Sequence, residues 1–410
     1  MHHQIEQGPI AQNLIEQLIR PEIRALKAYP VPDATGMIKL DAMENPYSWP
    51  EALCDDWLEA LREAELNRYP DPRAPALQTA LREAMRIPQD MDLLLGNGSD
   101  ELIQMLALAV AAPAVAQGDQ PGTRLGSSQP AKLGDSLRAR SPRPSEPCRP
   151  TLLSLDPGFV MYRMIGLFAG LEYVGVNLNA ADFSLDLAAT LAAIERHQPR
   201  LTFIAYPNNP TGNLFDPAAI EQIIAASPGL VIVDEAYAPF TDASFLPRLG
   251  DWPNLLVMRT VSKMGLAGLR LGYLAGPAQW IEQIDKVRLP YNINVLSQAS
   301  AAFALNHRHV LDAQTNAIRS ERQRLANTLT TLDGGQGRLH PFPSDANFIL
   351  VRTQPGRAGA LFHGLRGRNI LIKNLDGAHP ILADCLRITV GTPDENSALL
   401  NALAELLDEG

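Results

Sequence analysis

The sequence predicts an α/β fold: a mostly parallel sheet covered by helices in a large domain, followed by a smaller α/β domain. Three observations carry this. Short apolar runs alternate with turns and helical stretches at "MDLLLGNGSDEL", "TLLSLDPGF", "RLTFIAYPNNPTG", "LVIVDEAY", "LLVMRTVSKMG" and "LRLGYLAG", the rhythm of strands joined by crossovers. Several of these runs are apolar at every position rather than at alternate ones, as strands buried on both faces are. And 410 residues, 46% of them hydrophobic, make more core than one ordinary domain needs.

Taken in order, residues 11–28 carry Leu14, Leu18, Ile23 and Leu26 around Pro21. That predicts a helix, a break, and an arm ending at "AYPVP". "IKLDAMENPY" reads as a strand running into a turn stopped by Pro46. Residues 50–66 and 75–86 read as amphipathic helices about the turn "RYPDPRAP". The strand–turn–helix units follow. Residues 113–150 interrupt them with a stretch rich in Pro, Gly, Ser and Arg. It holds too little apolar surface to offset chain entropy and is expected to be a disordered surface insertion. Its basic excess leaves two readings open, an anionic partner or a solvated insertion without a role. After "LPYNINVLSQ" one long helix is predicted over 294–330. "ANFILVRT", "AGALFHGLRGRNILIK", "CLRITVGT" and a last helix complete the tail. The expected division is an N-terminal arm 1–40 joining the small domain, a large domain 41–288, and a small domain 289–410.

The formal net charge of −10 speaks against the basic stripe that nucleic-acid binding needs. Cys54, Cys148 and Cys385 are far apart and lack CxxC spacing, so free thiols in a reducing compartment are expected rather than disulfides or a metal site. His2 and His3 read as part of a loose terminus. The N-terminal stretch lacks the basic start and apolar core of a signal peptide, and no run of 18 apolar residues predicts a membrane span. A cytoplasmic enzyme of small molecules, without a metal, is the expectation.

Four motifs carry chemistry. In "VIVDEAYAPF" a buried strand ends in Asp234, with Tyr237 three residues on. Strand ends of open α/β sheets are where ligands bind, and a buried carboxylate there needs a cationic or protonated partner such as a pyridine N–H. Alone it also fits a helix cap. "YPNNPTGN", Tyr206 to Asn213, is a rigid corner in which Asn209 could donate to a ring oxygen, or simply a turn. "GNGSDE", Gly96 to Glu101, pairs glycines with a helix start whose free N–H groups suit a phosphate. In "SKMGLAGLRLG", Lys263 stands in an apolar setting that favours its neutral, nucleophilic form, and Arg270 offers a fork for phosphate. A lone lysine there is ordinarily a solvated loop residue. Together, however, a phosphate cradle, a ring-oxygen donor, a ring-nitrogen carboxylate and a Schiff-base lysine are the parts that pyridoxal 5′-phosphate requires.

With "NNPTG", "VDEAY", "SKMGLAGLRLGY" and "LRITVGTP" in one chain order, the sequence resembles the fold-type I pyridoxal-phosphate aminotransferases, and within them the histidinol-phosphate aminotransferases. The resemblance runs from about Arg20 to the C-terminal helix, leaving out 113–150. It implies the fold-type I architecture and the following roles. Lys263 binds the cofactor aldehyde, Asp234 pairs with the pyridine N–H, and Tyr237 and Asn209 bond the ring oxygen. Phe159 stacks on the ring, where many relatives have tyrosine. The backbone amides of Asp100 and Glu101, with Ser262 and Arg270, hold the phosphate. Tyr69 reaches the phosphate of a partner subunit's cofactor, implying a homodimer, and Tyr291 and Asn292 add a contact across subunits. Arg387 clamps the carboxylate of glutamate. Tyr29 and Lys373 help grip the phosphate of the substrate, and Asn347 helps shape its site. Lys373 stands where relatives often have arginine, and lysine keeps the charge without the two-pronged fork. The implied reaction is transfer of the amino group of L-histidinol phosphate to 2-oxoglutarate, a step of histidine biosynthesis. An aromatic or broad-range aminotransferase, and a decarboxylase of phosphorylated amino acids such as threonine phosphate, remain open. A regulator that has lost catalysis is argued against by the complete set of Lys263, Asp234, Tyr237 and Arg270.

Overall fold

In the computed structural model, residues 9–27, 31–111, 149–332 and 334–409 are described. Tyr29 and nearly all of the 113–150 insertion lie outside these residues. The chain opens with helices Pro9–Leu18 and Pro21–Arg24, the second entered through Pro21 at its first position, where the missing N–H costs nothing. A three-residue strand follows, β1 (Ile38–Leu40), then helices Glu51–Leu61 and Pro75–Met85.

The next seven strands make one sheet: β2 (Asp92–Gly96), β3 (Thr151–Asp156), β4 (Glu172–Asn177), β5 (Leu201–Ala205), β6 (Leu230–Asp234), β7 (Leu255–Thr260) and β8 (Gly272–Gly276). Their spatial order is β2-β8-β7-β6-β5-β3-β4. The pairs β7–β6, β6–β5, β5–β3 and β3–β4 are parallel, whereas β8 runs against both its neighbours. Every residue of β5, β6 and β8 is buried, which is why these segments read as unbroken apolar runs. Because β8 is reversed, its first residue lies at the same sheet edge as the last residues of the parallel strands, with Gly272 opposite both Thr260 and Gly96. Five chain crossings thus converge on one edge.

The remaining strands, β9 (Leu339–Pro341), β10 (Phe348–Thr353), β11 (Ile370–Asn374) and β12 (Cys385–Thr389), build a second sheet in the order β1-β11-β12-β10-β9. The N-terminal β1 pairs in parallel with β11, Ile38 opposite Ile370. In the register of β11, β12 and β10, Arg387 lies between Lys373 and Leu350. Helix Pro393–Asp408 closes the chain and starts at Thr392 in a capping box with Glu395, so two otherwise unpaired N–H groups are satisfied.

One expectation is corrected. The single helix over 294–330 is two, Val295–Asn306 and Arg308–Thr331, joined at His307. There the backbone leaves helical geometry (φ −106°, ψ 27°), and the ring Nδ1 lies 2.9 Å from the Phe303 carbonyl. Among the described residues no helix is long and apolar enough to cross a membrane, and no cluster of three or more His, Cys, Asp or Glu could hold a metal.

Candidate active site

The converging strand ends enclose an inner cavity of about 130 Å³. Its walls come from most of the strand ends: Ser99 and Asp100 after β2, Phe159 and Tyr162 after β3, Asn209 after β5, Asp234 and Tyr237 after β6, and Ser262, Lys263 and Arg270 between β7 and β8. Ser99 and Arg270, 171 positions apart, line one cavity because the parallel strands and the reversed β8 present these ends on one edge.

Asp234 lies at the bottom, 4% exposed. The Tyr162 hydroxyl donates to its Oδ2 at 2.5 Å, and the Ala236 amide donates to its Oδ1 at 3.0 Å. Burial pushes its carboxyl up to about 6, against the pull of those two hydrogen bonds, and Asp100 and Glu235 push the same way. A buried carboxylate this reluctant to ionise is poised for a cationic N–H. Lys263 stands on the opposite side of the charge pattern. Burial pushes its amine down to about 8, with Arg387 and Arg270 adding to the fall and Glu44 and Asp100 opposing it. Its Nζ lies 3.4 Å from the Ala42 carbonyl and 5.7 Å from the centre of the Tyr237 ring.

Asn209 links the two halves of the site. Its Nδ2 donates to the Tyr237 hydroxyl at 3.0 Å, and its Oδ1 accepts from Arg387 Nη1 at 2.7 Å. Arg387 is fixed again by its Nη2, which donates to the Asp41 carbonyl at 3.0 Å, and its guanidinium sits 5.4 Å from the Phe348 ring centre. At the corner after β2, Gly98 adopts φ +81°, and a Cβ there would stand 2.8 Å from Arg270 Nη2. The missing side chain therefore makes the room that the guanidinium uses. Arg270 Nη2 lies 3.5 Å from Asp100 Oδ2. The Ser262 and Thr260 hydroxyls lie 2.9 Å apart. Donors, helix start and cleared space fit an anionic phosphate, and Asp234 fits a protonated ring nitrogen, so the residues present suit pyridoxal 5′-phosphate.

An outer chamber of about 300 Å³ shares Met43, Phe159 and Asn209 with the inner cavity and adds Lys373 and Arg387. Other predicted residues stand elsewhere. Asn347, expected to help shape the substrate site, lines neither cavity. It is fully buried and its Nδ2 donates to the Met43 carbonyl at 3.0 Å, so it holds the wall from behind. The Glu101 side chain also turns away, accepting from the Asn97 amide at 2.5 Å and Asn292 Nδ2 at 2.8 Å. Tyr69 is 81% exposed and stacks on Tyr291 with ring centres 4.6 Å apart, away from the cavity of its own chain. Sequence reading missed Tyr162 and Met43. Tyr162 follows Phe159 by three residues, which is helical spacing onto the same cavity and the one available signal. Met43 (φ +53°) gave none, because its place depends on Thr389 and Asn347, some three hundred residues away.

Residues 149–403 match the family model for aminotransferase class I and II. The chain is 50% identical over 394 residues to histidinol-phosphate aminotransferase 2 of Nitrosococcus oceani, covering 96% of this chain and 98% of the relative. It is 48% identical over 389 residues to histidinol-phosphate aminotransferase of Chromobacterium violaceum, covering 95% and 98%. Among solved structures, the histidinol-phosphate aminotransferase of Sinorhizobium meliloti in complex with pyridoxal-5′-phosphate has the same fold, with a TM-score of 0.76 at 23% identity over 95% of this chain and 97% of that one. The L-threonine-O-3-phosphate decarboxylase of Porphyromonas gingivalis shares the fold as well, with a TM-score of 0.69 at 18% identity over 91% and 100%.

Proposed function

The chain belongs to the class I and II aminotransferases, and on that premise we propose that it transfers the amino group of L-histidinol phosphate to 2-oxoglutarate, giving imidazole-acetol phosphate and L-glutamate. The observation that carries the reading is the meeting of Lys263, Asp234, Tyr237, Asn209 and Arg270 around one cavity, with burial pushing the Lys263 amine down and the Asp234 carboxyl up. The relatives at 48–50% identity over nearly the whole chain support this substrate, whereas the decarboxylase shares only the fold.

In this reading the backbone amides of Asp100 and Glu101, at the start of helix Ser99–Ala111, with Ser262 and Arg270, hold the phosphate of pyridoxal 5′-phosphate. Phe159 covers the ring, Tyr237 and Asn209 meet its oxygen, Asp234 meets its nitrogen, and Lys263 bonds its aldehyde carbon. When bound, the cofactor supplies a protonated ring that withdraws the electrons released as the substrate loses its Cα proton. The protein does the rest. Lys263, once freed, takes that proton on Nζ, which its lowered pKa permits near neutral pH. The Tyr162 hydroxyl and Ala236 amide keep the Asp234 carboxylate charged enough to hold a ring proton in place. Arg387, its fork fixed by Asn209 and the Asp41 carbonyl, receives the anionic end of either substrate bidentately. Lys373, opposite it in register, adds charge for a phosphate. The working unit is a homodimer in which Tyr69 serves the neighbouring site, and its compartment is the reducing cytoplasm, which suits the unbridged Cys54 and Cys385.

The test is turnover with 2-oxoglutarate and three amine donors: histidinol phosphate, phenylalanine and threonine phosphate. The proposal expects glutamate to form fastest with histidinol phosphate. Preference for phenylalanine, or release of carbon dioxide from threonine phosphate, would overturn it.

A further inference from the structure

The outer chamber has a charge pattern that the reaction alone does not explain. Arg163, Lys373 and Arg387 make three cations among its lining residues, and Asp156 is the sole carboxylate. Cations serve a phosphate and a carboxylate equally well, so they cannot tell one anionic amine from another. Asp156 can. It ends β3, and the Tyr173 hydroxyl of the edge strand β4 donates to its Oδ1 at 2.8 Å. Its Oδ2 lies over Gly175, where a Cβ would stand 1.8 Å away, so only glycine leaves the carboxylate in this place. Arg163 sits 5.7 Å from the Tyr173 ring centre.

We propose that Asp156, oriented by Tyr173 and given room by Gly175, accepts the N–H of the substrate's imidazole ring and is a specificity-determining residue of the chamber. The proposal rests on histidinol phosphate being the substrate. An ionised carboxylate has about four lone-pair sites and no donor. With one oxygen committed to tyrosine, the other keeps its capacity for a ring N–H. Imidazole always carries at least one such donor. A phenyl ring carries none, so binding it would strip water from the carboxylate without replacement, the situation in which sites discriminate most strongly. The cations lining the chamber attract the phosphate, and the two ends of the substrate are read by opposite charges.

The experiment compares the cofactor-loaded wild type with Asp156→Ala and Gly175→Ala, the second displacing the carboxylate without removing it. Steady-state kinetics with histidinol phosphate and with phenylalanine give the ratio of the two kcat/KM values. Both variants are expected to lower that ratio about tenfold or more, mainly through KM for histidinol phosphate, with KM for 2-oxoglutarate unchanged. Equal losses for both donors, or no loss, would overturn the proposal in favour of a strut between β3 and β4. Calorimetric titration of the wild type with histidinol and with phenylalaninol separates the two readings. If histidinol phosphate is not turned over, the proposed function fails. If histidinol binds no better than phenylalaninol, the role of Asp156 fails whatever is turned over.

Discussion

At the scale of single residues, the site depends on two groups held away from their ordinary charge states. Lys263→Ala should abolish transamination, and Asp234→Asn should lower kcat by about two orders of magnitude or more with cofactor still bound. Single-turnover absorbance in the visible range separates the two losses. Both groups also strain the cofactor-free protein. A carboxyl raised to about 6 contributes stability that is full below its unfolded value near 3.8 and is lost as pH rises through 6. An amine lowered to about 8 contributes stability present above 10.5 and lost as pH falls through 8. At pH 7 neither contribution remains. The apo form of Lys263→Met should therefore be more stable than apo wild type at pH 7, by at most about 3 kcal/mol, and the gap should close toward pH 10.5. Thermal melts across pH 6–10.5 read this, and a gap that widens with pH would contradict it. Asp234 stood out in sequence as a polar residue ending an apolar run, and Lys263 as a cation followed by small and aliphatic residues. Tyr162 was not, since an aromatic in an apolar helix ordinarily belongs to the core, and only the sheet packing turns its hydroxyl onto Asp234 at 2.5 Å.

At the scale of elements, the corner between β2 and helix Ser99–Ala111 is the sensitive joint. Gly98→Ala would place a methyl group 2.8 Å from Arg270 Nη2 on a backbone at φ +81°, adding strain of about 1 kcal/mol or more and pushing the guanidinium out of place. Weaker cofactor affinity by about tenfold or more is expected, with little change in kcat once the enzyme is saturated. Equilibrium dialysis against pyridoxal 5′-phosphate measures it, and unchanged affinity would remove Arg270 from the phosphate site. The strand–turn–helix units announced themselves in sequence through burial on both faces. The reversal of β8 did not, because "LRLGYLAG" is as apolar as its parallel neighbours and direction leaves no mark on composition. The break at His307 was hidden for the opposite reason: the apolar spacing continues across it, and a ring–carbonyl contact interrupts the helix.

At the scale of the whole molecule, Leu14, Leu18, Leu66, Tyr69 and Leu289 are each more than half exposed, surface that a second copy would cover in the proposed homodimer. If Tyr69 serves the partner's site, mixing Lys263→Ala with Tyr69→Phe protein and allowing subunits to exchange should raise activity above both parents, since each mixed dimer regains one complete site. An activity equal to the average of the parents would place Tyr69 outside the partner's site. The chain by itself determined the α/β class and the order of the strand-end motifs that now line one cavity, because strand-end patterns are local: an apolar run, a turn and a polar residue lie within a dozen positions. Only the tertiary structure decided the rest. It paired β1 with β11 and drew the 41–45 segment across the cavity, where it meets Lys263, Asn347 and Arg387. It also placed Asp156 in the lining of one chamber with Arg163, Lys373 and Arg387. These contacts join residues hundreds of positions apart, and they form because burying two sheets in one body fixes their neighbours, which no local pattern encodes.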